Sequence, residues 1–163
     1  MIIGIDPGCS GAIVVLRDNG EYIAHLEMPT LQEGKSNRVN AAAIAAFLKV
    51  FAYGQPPMHA FIEKVGAMPG QGVTSMFTFG DACGVVRGVV AGAGIPYTMI
   101  TPQAWKKSAG LIGSDKDAAR SRAIQLYPDL RVLDQKGKGQ AVADALLIAR
   151  HGRINMNRKE DLL

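Results

Sequence analysis

Met1-Ile2-Ile3-Gly4-Ile5-Asp6-Pro7-Gly8-Cys9-Ser10-Gly11 opens the chain, and its reading decides how the rest is read. An apolar run that ends at an acid predicts a buried strand over residues 1–6. Pro7 fixes one backbone angle and the glycines permit positive ones, so residues 6–11 predict a turn. Residues 12–17 (Ala-Ile-Val-Val-Leu-Arg) follow as a second strand, and Asp18-Asn19-Gly20 is a strong hairpin signal. Residues 21–28 alternate in part and predict a third strand. The chain therefore opens with an antiparallel meander of three strands.

Working outward, residues 29–37 are polar, contain Gly34 and Ser36, and read as loop. Val39, Ala42, Ala43, Ala46, Phe47 and Val50 recur at helical spacing over 38–53, and Gly54-Gln55-Pro56-Pro57 stops that helix. Residues 58–63 (Met-His-Ala-Phe-Ile-Glu) predict a fourth strand, again ending at an acid. His59, at its start among apolar residues, reads as structural. Residues 65–72 cannot be regular structure. Residues 73–94 predict a long helix in which Gly80, Gly84, Gly88 and Gly92 share one stripe. Each glycine costs the helix roughly 1 kcal/mol relative to alanine. That cost predicts another element packed very close to the stripe, or helix–helix dimerisation through it.

Residues 95–100 predict a fifth strand. Thr101-Pro102 opens a short helix, with threonine as cap and proline in the first turn. Ser114 is expected to cap a helix over about 115–127, which Pro128 ends. Residues 129–139 read as a charged loop, and 140–151 as a strongly apolar helix. The expected organisation is one domain over 1–151 and a flexible polar tail over 152–163.

The 163 residues suit one domain with a full-sized core. With 48% hydrophobic and 20% charged residues, the composition is that of a soluble globular protein. No stretch approaches the ~20 apolar residues of a membrane span. The start lacks a signal peptide's basic region and cleavage site, so the expectation is cytoplasmic. Cys9 and Cys83 make no disulfide framework and no metal-ligand spacing, and read as free thiols packed like small apolar residues. The net charge of +4 is mild, but Lys106, Lys107, Lys116, Arg120, Arg122, Arg131, Lys136 and Lys138 crowd one third of the chain. Such a field concentrates a polyanion. Solvated helix faces would account for the same residues.

Three acids occupy unusual places. Asp6 and Glu63 end strands, where simple solvation is the plain alternative. Asp144 lies within an apolar helix, Ala141-Val142-Ala143-Asp144-Ala145-Leu146-Leu147-Ile148-Ala149. An unpaired buried carboxylate costs several kcal/mol, so it needs a cation, a partner or a metal. If the first and fourth strands are neighbours, Asp6 and Glu63 emerge side by side, and the last helix can bring Asp144 to them. Three carboxylates at one point repel unless a cation neutralises them, and their hard oxygens favour Mg²⁺ or Mn²⁺. Two ions at such a cluster suit phosphodiester hydrolysis.

The ordered set Gly4-Ile5-Asp6-Pro7-Gly8, Phe61-Ile62-Glu63, the glycine-rich helix, Pro102 to Ser114 with Trp105-Lys106-Lys107, and Ala143 to Ala149 resembles the RuvC-type resolvases of the ribonuclease-H-like superfamily. Residues 101–151 look most like the bacteriophage and plant plastid members. The resemblance implies an α/β fold with a five-stranded mixed sheet (the antiparallel meander of three plus two parallel strands) flanked by helices. It implies a homodimeric, metal-dependent endonuclease that resolves four-way (Holliday) DNA junctions by paired symmetric nicks. Asp6, Glu63 and Asp144 would bind Mg²⁺, or Mn²⁺ in its place, as two ions per site. The loop 65–76 would enter the junction, where Met68, Gln71 or Phe77 would touch unpaired bases. Lys106, Lys107, Lys116 and Arg120 fall where the family places phosphate contacts.

One departure stands out. The family usually carries Asp or His three or four positions before the final Asp, on the same helix face. Here those positions are Ala141 and Gln140. Glutamine offers a neutral carbonyl oxygen and cannot act as a base. Either Gln140 fills the role weakly, or Asp134 or Lys138 reaches in, or the chain binds junctions without cutting them. A third function class, an actin-like phosphotransferase, shares the core fold but needs two such domains to close over a nucleotide. No nucleotide cofactor and no membrane partner are expected.

Overall fold

The computed structural model describes residues 1–34, 36–52, 58–66, 70–115 and 117–160. Strands β1 (Ile2–Asp6), β2 (Ala12–Leu16) and β3 (Tyr22–Glu27) form the expected meander. Two further strands, β4 (Thr30–Glu33) and β5 (Ser36–Val39), precede helix α1 (Ala41–Ala52). Then come β6 (His59–Glu63), α2 (Val73–Gly92), β7 (Tyr97–Ile100), α3 (Pro102–Ala109) and α4 (Ala118–Leu126). A short 3₁₀ turn (Arg131–Asp134) leads into α5 (Lys136–Glu160).

The main sheet has five strands in the order β3-β2-β1-β6-β7. β1–β2 and β2–β3 are antiparallel, whereas β1–β6 and β6–β7 are parallel. Alternation sends side chains to two faces. Ile3, Ile5, Ile13, Val15 and Ile62 pack on α1 and α2 through Ile44, Leu48, Ala82, Val86 and Val90. Ile2, Val14, Leu16 and Phe61 pack on α5 through Val142, Ala145, Leu146 and Ala149, with Trp105 of α3 beside them. A fully buried strand such as β2, with no polar alternation, is what a sheet covered on both faces requires.

Three expectations from sequence are corrected. Residues 29–37 are not all loop: β4 and β5 pair as an antiparallel hairpin, with Leu31 opposite Arg38 and Gly34 at φ 62° in its turn. Both strands are largely exposed, so no apolar alternation announces them. Ser114 caps no helix; α4 begins at Ala118, and the Asp115 carboxylate accepts the Asp117 backbone N–H at 3.1 Å. The charged loop 129–139 contains the 3₁₀ turn and the start of α5. Gly139, which reads as loop punctuation, is instead a contact residue: a Cβ there would lie 2.7 Å from the Val132 carbonyl oxygen. α5 runs past residue 152, to Glu160. Gly152 is buried against the Phe61 ring, and Met156 packs on the core.

The glycine stripe also differs from expectation. A Cβ at Gly80, Gly84, Gly88 or Gly92 would meet nothing within 4 Å. α2 buries its other side, Ala82, Cys83, Val86 and Val90. Among the described residues, no helix is long and apolar enough to cross a membrane.

Candidate metal centre and nucleic-acid interface

Asp6 is the last residue of β1 and Glu63 the last of β6. The parallel register pairs Ile5 with Ile62, so the two acids leave neighbouring strands at the same level. Both continue the face that carries Gly4 and Phe61, which α5 covers. Gly4 sets how closely α5 approaches. A Cβ on it would lie 2.1 Å from the Ala145 carbonyl oxygen and 2.4 Å from the Ala149 nitrogen. Asp144 precedes Ala145, so this contact delivers its carboxyl to the strand ends. From 141 to 149 Asp144 is the one residue not fully buried.

Asp6, Glu63 and Asp144 lie near enough for their charges to act on one another. Burial, then the nearby Glu63 charge, push the Asp6 carboxyl up to about 6, although the Gly8 backbone N–H stabilises its ionised form. Burial, then the charges of Asp6 and Glu63, push Asp144 up to about 7. The Gln140 amide and Lys106 oppose that rise. Each acid is also held. Trp105, buried in the core, donates its indole N–H to Glu63 Oε1 at 2.7 Å. Gln140 donates Nε2–H to Asp144 Oδ1 at 3.0 Å. Among the described residues no three side chains of the ligating types converge into a ready cage.

This donor set fits hard divalent cations. It consists of carboxylate oxygens; burial first, and then neighbouring negative charge, raises the proton affinity of Asp6 and Asp144, and a cation would relieve both. Gln140 Oε1 adds a neutral oxygen that is buried and accepts no hydrogen bond among the described residues. A buried acceptor in that condition is costly unless something meets it.

A cleft of about 490 Å³ opens beside Asp144, lined by Pro102, Gln103, Lys106, Ile112, Ser114 and Gln140. The α3 helix that walls it carries its own signals: the Thr101 hydroxyl accepts the Ala104 N–H, Pro102 sits in the first turn, and Gly110 at φ 75° ends it. Lys106 and Lys107, in its last turn, are exposed, and neither makes an ion pair among the described residues. Lys106 also lies over the Trp105 ring, 5.4 Å from its centroid.

Other expected contacts are placed differently. Arg120 is half-buried and donates to the Leu133 carbonyl at 3.2 Å, so its guanidinium is engaged within the fold. Lys138 does not reach the acids but pairs with Glu27 at 3.0 Å. Asp134 lies 3.5 Å from Arg131 and stays at the surface. Arg122 donates to Gln125. Phe77 is 66% exposed, and Gln71 lines a second cleft with Phe79, Cys83 and Arg87. Met68 and Lys116 lie outside the described residues. Both cysteines are free, and burial pushes the Cys83 thiol up to about 11, which disfavours thiolate chemistry. Sequence reasoning missed the Trp105–Glu63 bond, Gly4 as the spacer that seats Asp144, and Glu27 as the partner of Lys138.

The fold is the ribonuclease-H-like fold of the RuvC-type resolvases. Thermus thermophilus RuvC, solved in complex with Holliday junction substrate, superposes with a TM-score of 0.63 at 19% identity, over 96% of this chain and 94% of that one. A second structure of Thermus thermophilus RuvC gives a TM-score of 0.59 at 18% identity, over 98% and 97%. In sequence the chain is 31% identical over 113 residues to the chloroplastic Holliday junction resolvase MOC1 of Chlamydomonas reinhardtii. That alignment takes in 68% of this chain and only 13% of the plastid protein. No family model matches the chain.

Proposed function

We propose that the protein is a metal-dependent endonuclease that resolves four-way DNA junctions. The observation that carries this reading is the placement of Asp6 and Glu63 at neighbouring strand ends with Asp144 within reach of their charges, beside a cleft walled by Lys106. Asp6, Glu63 and Asp144 would hold divalent ions, Mg²⁺ or Mn²⁺, two per site. Such ions, when bound, activate water and stabilise the leaving oxygen in phosphodiester hydrolysis. The chain's own residues do the rest. Trp105 fixes the Glu63 carboxylate, Gln140 fixes that of Asp144, and Lys106 draws a phosphate toward both. Lysine acts there as a point charge, indifferent to base sequence. The action is on branched DNA, and paired nicks require two sites, hence a homodimer. The open glycine face of α2 leaves room for a close helix neighbour.

Gln140 favours a second reading, in which the protein binds junctions and does not cut them. Its amide already donates to Asp144, and it cannot accept a proton as Asp or His would. One assay separates the two. A labelled four-way junction and a matching duplex are incubated with the protein in Mg²⁺, Mn²⁺ or EDTA. Paired, metal-dependent nicks in the junction alone are the expected result. Tight junction binding without nicks supports the second reading, and Gln140→Asp or Gln140→His should then restore cutting. No preference for the junction refutes both.

A further inference from the structure

Ala104, Trp105 and Ala109 of α3 belong to the core that α5 builds. The two helices also meet through polar groups. His151 Nδ1 lies 2.8 Å from Ser108 Oγ, and the Ser108 hydroxyl donates to the Trp105 carbonyl at 2.9 Å. On the other edge of the ring, His151 Nε2 lies 2.9 Å from Asn155 Nδ2, which also donates to the His151 carbonyl at 3.0 Å.

These contacts admit one arrangement of protons. A carbonyl only accepts, so the His151 carbonyl fixes which end of the Asn155 amide faces the ring: it is the NH₂. Nε2 must then accept, and the single proton of the neutral imidazole sits on Nδ1. Nδ1–H donates to Ser108 Oγ, which leaves the Ser108 hydrogen for the Trp105 carbonyl. Every donor meets an acceptor, from Asn155 through His151 and Ser108 to Trp105. That order excludes an activated serine nucleophile, because Ser108 gives its proton to a carbonyl and not to the imidazole.

The chain of bonds ends on the residue that holds Glu63. Trp105 is 2% exposed, and Lys106 and Lys107 follow it in the last turn of α3. An imidazolium does not fit here, since its Nε2–H would face the Asn155 NH₂. Burial acts in the same direction and pushes the ring below its ordinary 6.5. A cleft of about 530 Å³ opens beside the ring, and His59 of β6, 2.9 Å from the Thr98 hydroxyl, is the other titratable group that lines it. The charged neighbours of the pair in sequence are Lys107 on α3 and Arg150 on α5, both cations.

We propose that His151, as the neutral imidazole, is a positioning residue for the acid cluster: through Ser108 it ties the last turn of α3 to α5, and so holds Trp105 against Glu63 and Lys106 beside the cleft. This deepens the resolvase reading and rests on it, because what His151 positions are that reading's metal ligands and phosphate contact. The tie carries a pH dependence of definite sign. A histidine that binds its proton less readily in the folded state than in the unfolded one stabilises the fold above the unfolded value of 6.5. Its contribution is lost as pH falls below that value, and α3 is then released.

The test uses the full chain. Trp105 is the only tryptophan, so quenching of its emission by acrylamide reports on α3 without DNA or metal. Ser108→Ala and His151→Ala should each raise quenching, and each should weaken Mn²⁺ binding, measured by calorimetry, about 3- to 10-fold. Because both act through one bond, the double variant should be no worse than either single one. His151→Asn sets an amide N–H where Nδ1–H stands and never becomes a cation, so at about pH 8 it should restore both readouts. Wild-type quenching should rise as pH is lowered from about 8 to about 5.5, and His151→Asn should lose that rise. Both proteins keep the three acids, whose own titration cancels in the comparison. If His151→Ala lowers the melting temperature but leaves quenching and Mn²⁺ affinity as in wild type, His151 is merely structural and the proposal fails. It fails too if His151→Asn shows the same rise as wild type, since the acids alone then move Trp105. A wild type that binds no Mn²⁺, or binds a four-way junction no better than a duplex, overturns the resolvase reading instead. The quenching measurements need neither ligand, so they separate that failure from a failure of His151 to hold Trp105.

Discussion

Asp144→Asn isolates the electrostatic claim from any activity. In the folded protein the Asp144 carboxyl is pushed up to about 7 from an ordinary 3.8. The folded state therefore holds more protons than the unfolded state between about pH 4 and pH 7, and stability falls as pH rises through that window. The full shift corresponds to about 4 kcal/mol. Partial exposure and coupling to Asp6 reduce this toward ~2 kcal/mol. Asparagine has the same shape, keeps an oxygen for the Gln140 amide, and carries no charge. In EDTA at about pH 8 the variant should be more stable than wild type by roughly 2–4 kcal/mol, a rise of roughly 4–16 °C in melting temperature for a chain of this size. At about pH 3 the gap should nearly close, because wild type is then mostly protonated in both states. Adding Mg²⁺ or Mn²⁺ at pH 8 should stabilise wild type and leave the variant nearly unmoved. Thermal melts at two pH values, with and without metal, give all four numbers. If Asp144→Asn melts lower than wild type in EDTA at pH 8, or shifts equally at both pH values, Asp144 is not a repelled member of an acidic cluster.

The remaining predictions rest on single contacts. Gly4→Ala places a methyl 2.1 Å from the Ala145 oxygen, so α5 must move; urea titration should show a loss of about 3 kcal/mol or more. Trp105→Phe keeps the ring and removes the N–H held by Glu63; nicking should drop on the order of 10-fold and Mn²⁺ affinity, measured by titration calorimetry, should fall. As Trp105 is the only tryptophan, metal binding to wild type should also alter intrinsic fluorescence. Lys106→Ala should weaken binding to all junction sequences alike and lower the slope of log affinity against log salt by about one.

The two strand-end acids were legible because each closes an apolar run, and a helix between two such runs permits parallel neighbours. Asp144 was legible because a charge among eight apolar residues demands a reason. The hairpin was not, since Thr30–Glu33 and Ser36–Val39 are mostly solvent-facing and carry no period that a core would impose. Nor was Trp105 legible as a ligand-holding group, because its partner lies 42 residues away and an indole in an apolar setting reads as core.

Glycine shows the limit most clearly, since its lack of a side chain serves opposite ends. Gly80, Gly84, Gly88 and Gly92 form the pattern that most suggests close packing, and a Cβ there would meet nothing. Gly4, Gly139 and Gly152 show no pattern, yet a Cβ on each would strike a neighbour within 3 Å. All three of those contacts involve α5, from its first turn to beyond its middle. Gly139 seats its start against the 3₁₀ turn, Gly4 receives its centre, and Gly152 rests on Phe61. A helix fixed at three points along its length, on more than one side, has little freedom to slide. Its position sets where Asp144 meets Asp6 and Glu63, so the precision of the acidic cluster is held by residues with no chemistry of their own. Substitutions at these glycines should therefore disturb metal binding from a distance, and Gly4, two residues from Asp6 on the same strand face, should do so most.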